Sequence, residues 1–407
     1  MELRPILSAM RRNKVGAILI AVQMAITLAI LCNGLFIIEQ RVALAKRPTG
    51  TDEANIFSIT NQWVGNPEDL SARLQTDLAT LRSLPGVADA YGTNAYPLTN
   101  SGWTEGVNLS ADQKHSTAPA AMYFADEHGL STLGLKLIAG RNFNAAEVGE
   151  RGFNDLTPPA AVIVTRELAN KLYPKGDALG KTVYFDFQKH STPIVGIVEK
   201  LQVPWVSANG WGSKFNDNSM LEPFRYVSTY SHYIVRVQPG QLTAVMHAAE
   251  KALIDVNRGR VLETIRSWTQ ARADVYRDDR GLAVILGVVC AALLAVTAFG
   301  IVGLTSYWVA QRRRQIGIRR ALGATRRAII RYFQTENLLI AAAGAAAGVA
   351  LAVAVNLWMV NSFEMQRLNT AYAVVGAIVV LLLGQAAVLW PALRAASVPP
   401  ALATRGV

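Results

Sequence analysis

Four stretches of this chain carry no charged side chain, and each is long enough to cross a bilayer. They are Val15–Ile38, Gly281–Gln311, Asn337–Phe363 and Leu368–Leu393, of 24, 31, 27 and 26 residues. About 20 apolar residues span the hydrocarbon core of a membrane, where a helix satisfies its own backbone hydrogen bonds. A soluble domain has little use for four such runs, so the pattern predicts four transmembrane helices. The first run exceeds the roughly 7–15 apolar residues of a cleaved leader. Glu39, Gln40 and Arg41 also separate it from the small-residue triplet Ala43-Leu44-Ala45, so it is expected to be retained.

A net charge of +11 would suit nucleic-acid binding if it covered a soluble surface, but its placement points to topology instead. Residues 1–14 hold four Lys and Arg, residues 312–336 hold eight and residues 394–407 hold two. The long segment 39–280 holds 25 basic and 26 acidic residues, and the short loop 364–367 holds only Glu364 and Arg367. Basic and neutral segments alternate, as four crossings require. The positive-inside rule then places both termini and residues 312–336 in the cytoplasm and residues 39–280 outside it. Tyr307, Trp308, Trp358 and Trp390 stand near the ends of the runs, where amphipathic rings favour the membrane interface. The expected fold is an α-helical membrane protein with four transmembrane helices and a mixed α+β extracytoplasmic domain between helices 1 and 2.

The exported segment has no cysteine, since Cys32 and Cys290 both fall in membrane runs, and its length suits two subdomains. Residues 160–165, 181–187, 192–201 and 231–238 read as strands, and 166–173 as a short helix. The stretch GDALGKT, residues 176–182, falls one residue short of a phosphate-binding loop and precedes a strand rather than a helix, so it reads as a turn. The five histidines are scattered without metal-ligand spacing, and no nucleophile–base constellation can be read. In residues 241–280, Leu253, Val256, Val261, Leu262, Ile265, Trp268, Val275 and Tyr276 recur near helical spacing. That spacing predicts a stalk running into the second span, with an ordinary amphipathic helix as the alternative. Residues 202–223 read as a loop whose Trp205 and Trp211 are candidates for a periplasmic contact, unless the loop packs on its own domain.

Residues 312–331, RRRQIGIRRALGATRRAIIR, hold eight arginines and no acid. On one continuous helix Ile318, Leu322, Ile329 and Phe333 would share a face, with Arg319, Arg320, Arg326 and Arg327 on its flanks. Such a segment can lie flat on anionic lipid or bury its apolar face in a partner protein. In the third run Gly344 and Gly348 form a small-xxx-small pattern that suits close helix packing, either between two copies or within one chain.

The stretch from RRRQIGIRRALGATRRAIIRYFQTENLLI to AAAGAAAG closely resembles the signature of FtsX-like ABC transporter permeases. WPALRAASVPPALATR, residues 390–405, is similar to their C-terminal end, and LGLKLIAGRNF, AVIVTRELANKLY, GKTVYFDF and PIVGIVEKL resemble a MacB-like periplasmic core domain. The resemblance implies a non-catalytic permease subunit of the bacterial inner membrane. Its domains would be a cytoplasmic segment 1–14, helices 15–38, 281–311, 337–363 and 368–393, a periplasmic core with stalk at 39–280, a coupling segment 312–336 and a cytoplasmic tail 394–407. The chain would dimerise with a second copy or a paralogue and dock on a cytoplasmic ABC ATPase. ATP and Mg would bind on that ATPase and no cofactor on this chain. The implied docking residues are Gln315, Ile316, Ile318, Arg319, Arg320, Leu322, Gly323, Arg326 and Arg327. A periplasmic adaptor and an outer-membrane channel would complete an exporter of an antibiotic, peptide or similar substrate; no nucleic acid is expected. A regulator of a wall hydrolase or sensor kinase and a lipoprotein-extracting permease are the alternatives within the family. Glu336 matches the family pattern, whereas Gln315 stands where the family usually has Glu.

Overall fold

The computed structural model describes residues 14–186, 190–206, 215–363 and 365–397. In chain order the helices are α1 (Lys14–Ala45), α2 (Leu70–Ser83), α3 (Gly129–Leu133), α4 (Arg166–Leu172), α5 (Leu242–Val256), α6 (Trp268–Val275), α7 (Arg277–Gln311), α8 (Arg313–Ala321), α9 (Arg326–Phe363) and α10 (Thr370–Ala396). The strands are β1 (Ile56–Trp63), β2 (Val87–Thr93), β3 (Trp103–Asn108), β4 (Ala118–Phe124), β5 (Leu137–Gly140), β6 (Gly149–Arg151) and β7 (Val162–Thr165), followed by β8 (Thr182–Phe185), β9 (Thr192–Val198), β10 (Ser219–Glu222), β11 (Phe224–Tyr226), β12 (Tyr230–Val237) and β13 (Arg260–Ser267). Two compact units result: a helical unit from the residues up to 43 and from 279 onward, and an inserted unit from Leu44 to Asp278.

In the helical unit, α1, α7, α9 and α10 are the described helices long and apolar enough to span a membrane. The first three enclose their uncharged runs whole. The fourth starts at Thr370 because the Asn369 side chain accepts from the Ala371 N–H at 3.0 Å and caps it. The other long helices approach α1 through small residues. A Cβ on Gly344 would stand 2.8 Å from Ala21 O, and one on Gly348 would stand 3.0 Å from both Cα and O of Ala25. On α10, a Cβ on Gly376 would lie 2.7 Å from Cys32 Sγ, and on α7 a Cβ on Gly300 would lie 2.6 Å from Gln23 Oε1. The small-residue pattern of α9 therefore serves packing within the chain, and the face that a contact between two copies would need is filled by α1. Trp308 is also turned inward against Gly16, whereas Tyr307, Trp358 and Trp390 are exposed. Neutral polar groups cross-link the helices: Thr27 Oγ1 meets Thr297 Oγ1 at 2.8 Å, and Asn33 Nδ2 donates to Ala352 O at 3.1 Å.

The inserted unit holds two principal sheets. The first has the order β13-β1-β12-β2 and is antiparallel throughout. Leu74, Leu78 and Leu81 of α2 and Val245, Ala249 and Leu253 of α5 pack with Phe57, Ile59, Tyr233 and Val235 of this sheet. Within the same subdomain Asp77 receives Arg260 Nη1 and Nη2 at 2.6 and 2.7 Å and the Tyr233 hydroxyl at 2.7 Å, with both charged side chains fully buried. The second sheet runs β5-β9-β7-β10-β4-β3-β8, and β8 also pairs with β9, so six of its strands close into a barrel. Val107, Phe124, Val162, Val164, Phe185, Ile194 and Met220 contribute to its core, and α4 adds Leu168 and Leu172. All of its strands lie between β2 and β12, so the barrel is an insertion in the first sheet.

One expectation fails here, and another is settled for its alternative. Residues 241–280 do not form a continuous stalk: α5 ends at Val256, β13 runs along β1, and α6 begins afresh where Ser267 caps it. The misleading three-residue step from Leu262 to Ile265 comes from a bulge. Leu262 pairs with Asn61 and Ile265 with Ile59, which share a face, so Glu263 is the extra residue. Trp205 is not a free contact surface either, because it packs on the buried core, 6.2 Å from the Phe215 ring centre. Trp211 lies outside the described residues. As expected, GDALGKT is a turn, with Gly176 and Gly180 at φ of +79° and +77° ahead of β8.

Candidate coupling site

The arginine-rich stretch folds as a helical hairpin, and its turn is written in Leu322-Gly323-Ala324-Thr325. The Gly323 N–H donates to Arg320 O and the Ala324 N–H to Arg319 O, at 3.1 and 3.0 Å. This double closure needs a left-handed residue after the helix, and Gly323 supplies it at φ +95°. Thr325 then starts α9, its hydroxyl accepting from the Ala328 N–H at 3.2 Å. On the other side α7 passes almost without a break into α8, since the Arg312 N–H donates to Trp308 O and the Ile316 N–H to Arg312 O, each at 3.0 Å.

The two arms are fastened to each other. Ile316 from α8 is buried with Ile329 and Phe333 from α9. Arg312 Nη1 donates to both carboxylate oxygens of Glu336, at 3.1 and 2.9 Å, and Glu336 is buried. The Arg319 guanidinium lies over the Tyr332 ring, 5.0 Å from its centre. Gln315 is exposed and, with Arg312, Arg319 and Tyr332, lines a small cavity of about 140 Å³ between the arms. Its amide puts no acid beside Arg312, whose carboxylate partner is Glu336.

The expected single apolar face does not form. Ile316, Ile329 and Phe333 turn inward, whereas Ile318 and Leu322 are 47% and 83% exposed. The reason is the turn at Gly323, which reverses the chain and resets the helical phase between Leu322 and Ile329. A Gly followed two residues later by Thr is a helix stop and start, and that signal was present in the sequence. The hairpin thus presents Leu322 and Ile318 outward among exposed Arg319, Arg326 and Arg327, with Arg320 half-buried. Gly344 and Gly348 lie further along α9, against α1.

Residues 287–400 match the FtsX-like permease C-terminal domain, and residues 15–252 match the MacB-like periplasmic core domain. The second match covers more than half of the 407 residues. The chain belongs to the MacB-like family of ABC transporter permeases. This MacB-like permease is 26% identical over 305 residues to the macrolide export ATP-binding/permease protein MacB of Neisseria meningitidis, a match covering 71% of the chain and 43% of the relative. It therefore spans less than half the length of that relative. It is 24% identical over 275 residues to an ABC transporter permease of Bacillus subtilis, YvrN, covering 62% of this chain and 64% of that one. The periplasmic region of MacB from Actinobacillus actinomycetemcomitans aligns with 57% of the chain at 16% identity and a TM-score of 0.35. Within this family the chain corresponds to the permease part.

Proposed function

We propose that this MacB-like permease passes ATP-driven motion from a cytoplasmic ABC ATPase to its extracytoplasmic domain, and that the α8–α9 hairpin is where the motion enters. The proposal rests on Leu322. A large apolar side chain stands exposed at the tip of a rigid hairpin, ringed by arginines and with no acid in the turn. Apolar surface of this kind, rimmed by charge, marks a protein contact, and arginine forks suit carboxylates on the partner. The Arg312–Glu336 pair and the buried Ile316, Ile329 and Phe333 would make the hairpin a lever and not a loose loop.

On this reading ATP and Mg bind on the ATPase, and this chain carries out no chemistry of its own. Residues 312–336 face the cytoplasm, residues 39–280 face the periplasm, and a second copy or a paralogue completes the assembly. The work done is export of a periplasmic substrate, with an adaptor and an outer-membrane channel.

Leu322→Asp tests the docking. It keeps every arginine and therefore the topology signal. Co-purification of the ATPase and its stimulated hydrolysis in lipid nanodiscs should both fall at least about tenfold, the scale of losing one well-packed interface anchor. If both persist in correctly inserted protein, the hairpin is only a membrane anchor.

A further inference from the structure

The barrel of the inserted unit opens on a cleft of about 500 Å³ that the coupling hairpin does not use. One wall is apolar. Trp103 stands edge-on to Phe153 with ring centres 5.4 Å apart, and Phe153 and Leu156 line the cleft although they are 66% and 75% exposed. Three acids, Glu105, Asp155 and Asp186, also line the cleft. Among the described lining residues the one cation is Arg151, and it is already engaged. Its Nη1 donates to Glu222 Oε2 and its Nε to the Asp155 carbonyl, both at 2.8 Å. Its guanidinium also lies over the Phe124 and Phe224 rings, 5.2 Å from each centre. The Asp155 carboxylate accepts from Thr157 and the Asp186 carboxylate from Asn108 and Ser116, so Glu105 is the cleft acid with least support while Arg151 is held by fully buried Glu222.

Two carboxyls, Glu105 of the cleft and Glu222 behind it, are raised, chiefly by burial. Glu105 is pushed up to about 7, by burial first and by Asp186, against the pull of Arg151. Burial and then the Glu105 charge push Glu222 up to about 8, again opposed by Arg151. One Oε of Glu222 has no hydrogen-bond partner among the described residues. An added cation would relieve the deficit.

We infer that this cleft binds an organic cation carried on an apolar body, such as a protonated amine on a ring or chain scaffold. The apolar body displaces water from Trp103, Phe153 and Leu156, and the charge rests against Glu105 and the ring faces. A small inorganic cation would leave the aromatic wall unused, and a neutral lipid would bring Glu105 no counter-charge. Binding here requires no ATPase, so it stands or falls apart from the coupling proposal.

The test is calorimetric titration of the full chain in phosphatidylcholine nanodiscs, with empty nanodiscs subtracted. The probes are tetraphenylphosphonium, whose charge does not titrate, and neutral triphenylphosphine oxide. At pH 8 the cation should bind about tenfold tighter than the oxide, the scale of one charge-assisted contact. Glu105→Gln should remove that preference and leave the oxide unchanged. Phe153→Ala, a substitution at an exposed ring that leaves the fold intact, should weaken both probes. Acidification from pH 8 to pH 6 protonates Glu105 and should weaken cation binding in the native chain, with a flattened response in Glu105→Gln. Equal affinity for the two probes, no measurable binding, or cation binding indifferent to both substitutions would each overturn the assignment.

Discussion

In the inserted unit Asp77 and Arg260 meet with both side chains fully buried, and the Arg260 guanidinium lies 4.0 Å from the centre of the Trp63 ring. Within the uncharged runs of the helical unit, polar contacts between helices join neutral groups instead, Thr27 to Thr297 and Asn33 to the Ala352 carbonyl. The contrast follows from the solvent each unit folds in. A domain in water gains from every apolar area it removes, and that gain can carry one desolvated ion pair provided the pair satisfies itself. Helices already in lipid gain nothing by hiding apolar surface from one another, so they rely on close backbone approach and a few hydrogen bonds. Gly344 and Gly348 against Ala21 and Ala25 supply the approach. The ion pairs of the helical unit, Arg312 with Glu336 and Arg41 with Asp279, lie beyond the ends of the uncharged runs, where charge costs less.

The sharpest way to break this comparison is Asp77→Asn. It strands the Arg260 charge in a dry site and should cost about 3–5 kcal/mol, enough to unfold the first subdomain. Chemical denaturation followed by tryptophan fluorescence reads it, and a loss under about 1 kcal/mol would mean that water reaches the pair.

A second effect belongs to the inserted unit alone. His232, bonded through Nδ1 to Thr60 Oγ1 at 3.1 Å, is pushed down to about 4 by burial, with Arg266 adding. The native state then binds fewer protons than the unfolded chain between about pH 4 and 6.5. Stability rises with pH across that window and is lost on acidification, by up to about 3 kcal/mol. His232→Gln should remove that slope. Glu105 and Glu222 act with the opposite sign, since their raised values favour the native state as pH falls from about 8. Melting temperatures at pH 4.5 and 7 for the native and His232→Gln chains separate these contributions.

In the helical unit, Gly348→Val should cost about 1–3 kcal/mol, because the added Cβ meets α1 backbone that cannot move aside. Gly287→Ala, where a Cβ meets nothing within 4 Å, is the control and should be neutral. Thermal melts in nanodiscs compare them, and equal melts would mean that α1 shifts freely. The smallest effect is expected for Thr27→Val, about 0.6 kcal/mol, the usual size of an interhelical hydrogen bond in lipid. A loss several times larger in the same assay would show that polar contacts in this bundle are not the weak glue described above.

Contiguous residues determined much of this protein. A bilayer of fixed thickness demands about 20 apolar residues in a row, so four spans could be read before any contact was known. The β-branched runs at 160–165, 192–201 and 231–238 and the turn at GDALGKT were legible for the same reason, since strand and turn preferences act over a few neighbours. Tertiary structure decided what depends on phase and on distant partners. A bulge at Glu263 made a strand imitate helical spacing, and one left-handed glycine turned Leu322 outward while Ile329 and Phe333 turned in. The small-residue pattern at Gly344 and Gly348 announced a close approach but not that α1 would fill it. Nothing local joins Glu105, Arg151, Asp186 and Glu222. The β3–β8 pairing brings Glu105 and Asp186 to one cleft, and Arg151 links that cleft to buried Glu222, because backbone pairing across long loops and not side-chain pattern sets which strands become neighbours.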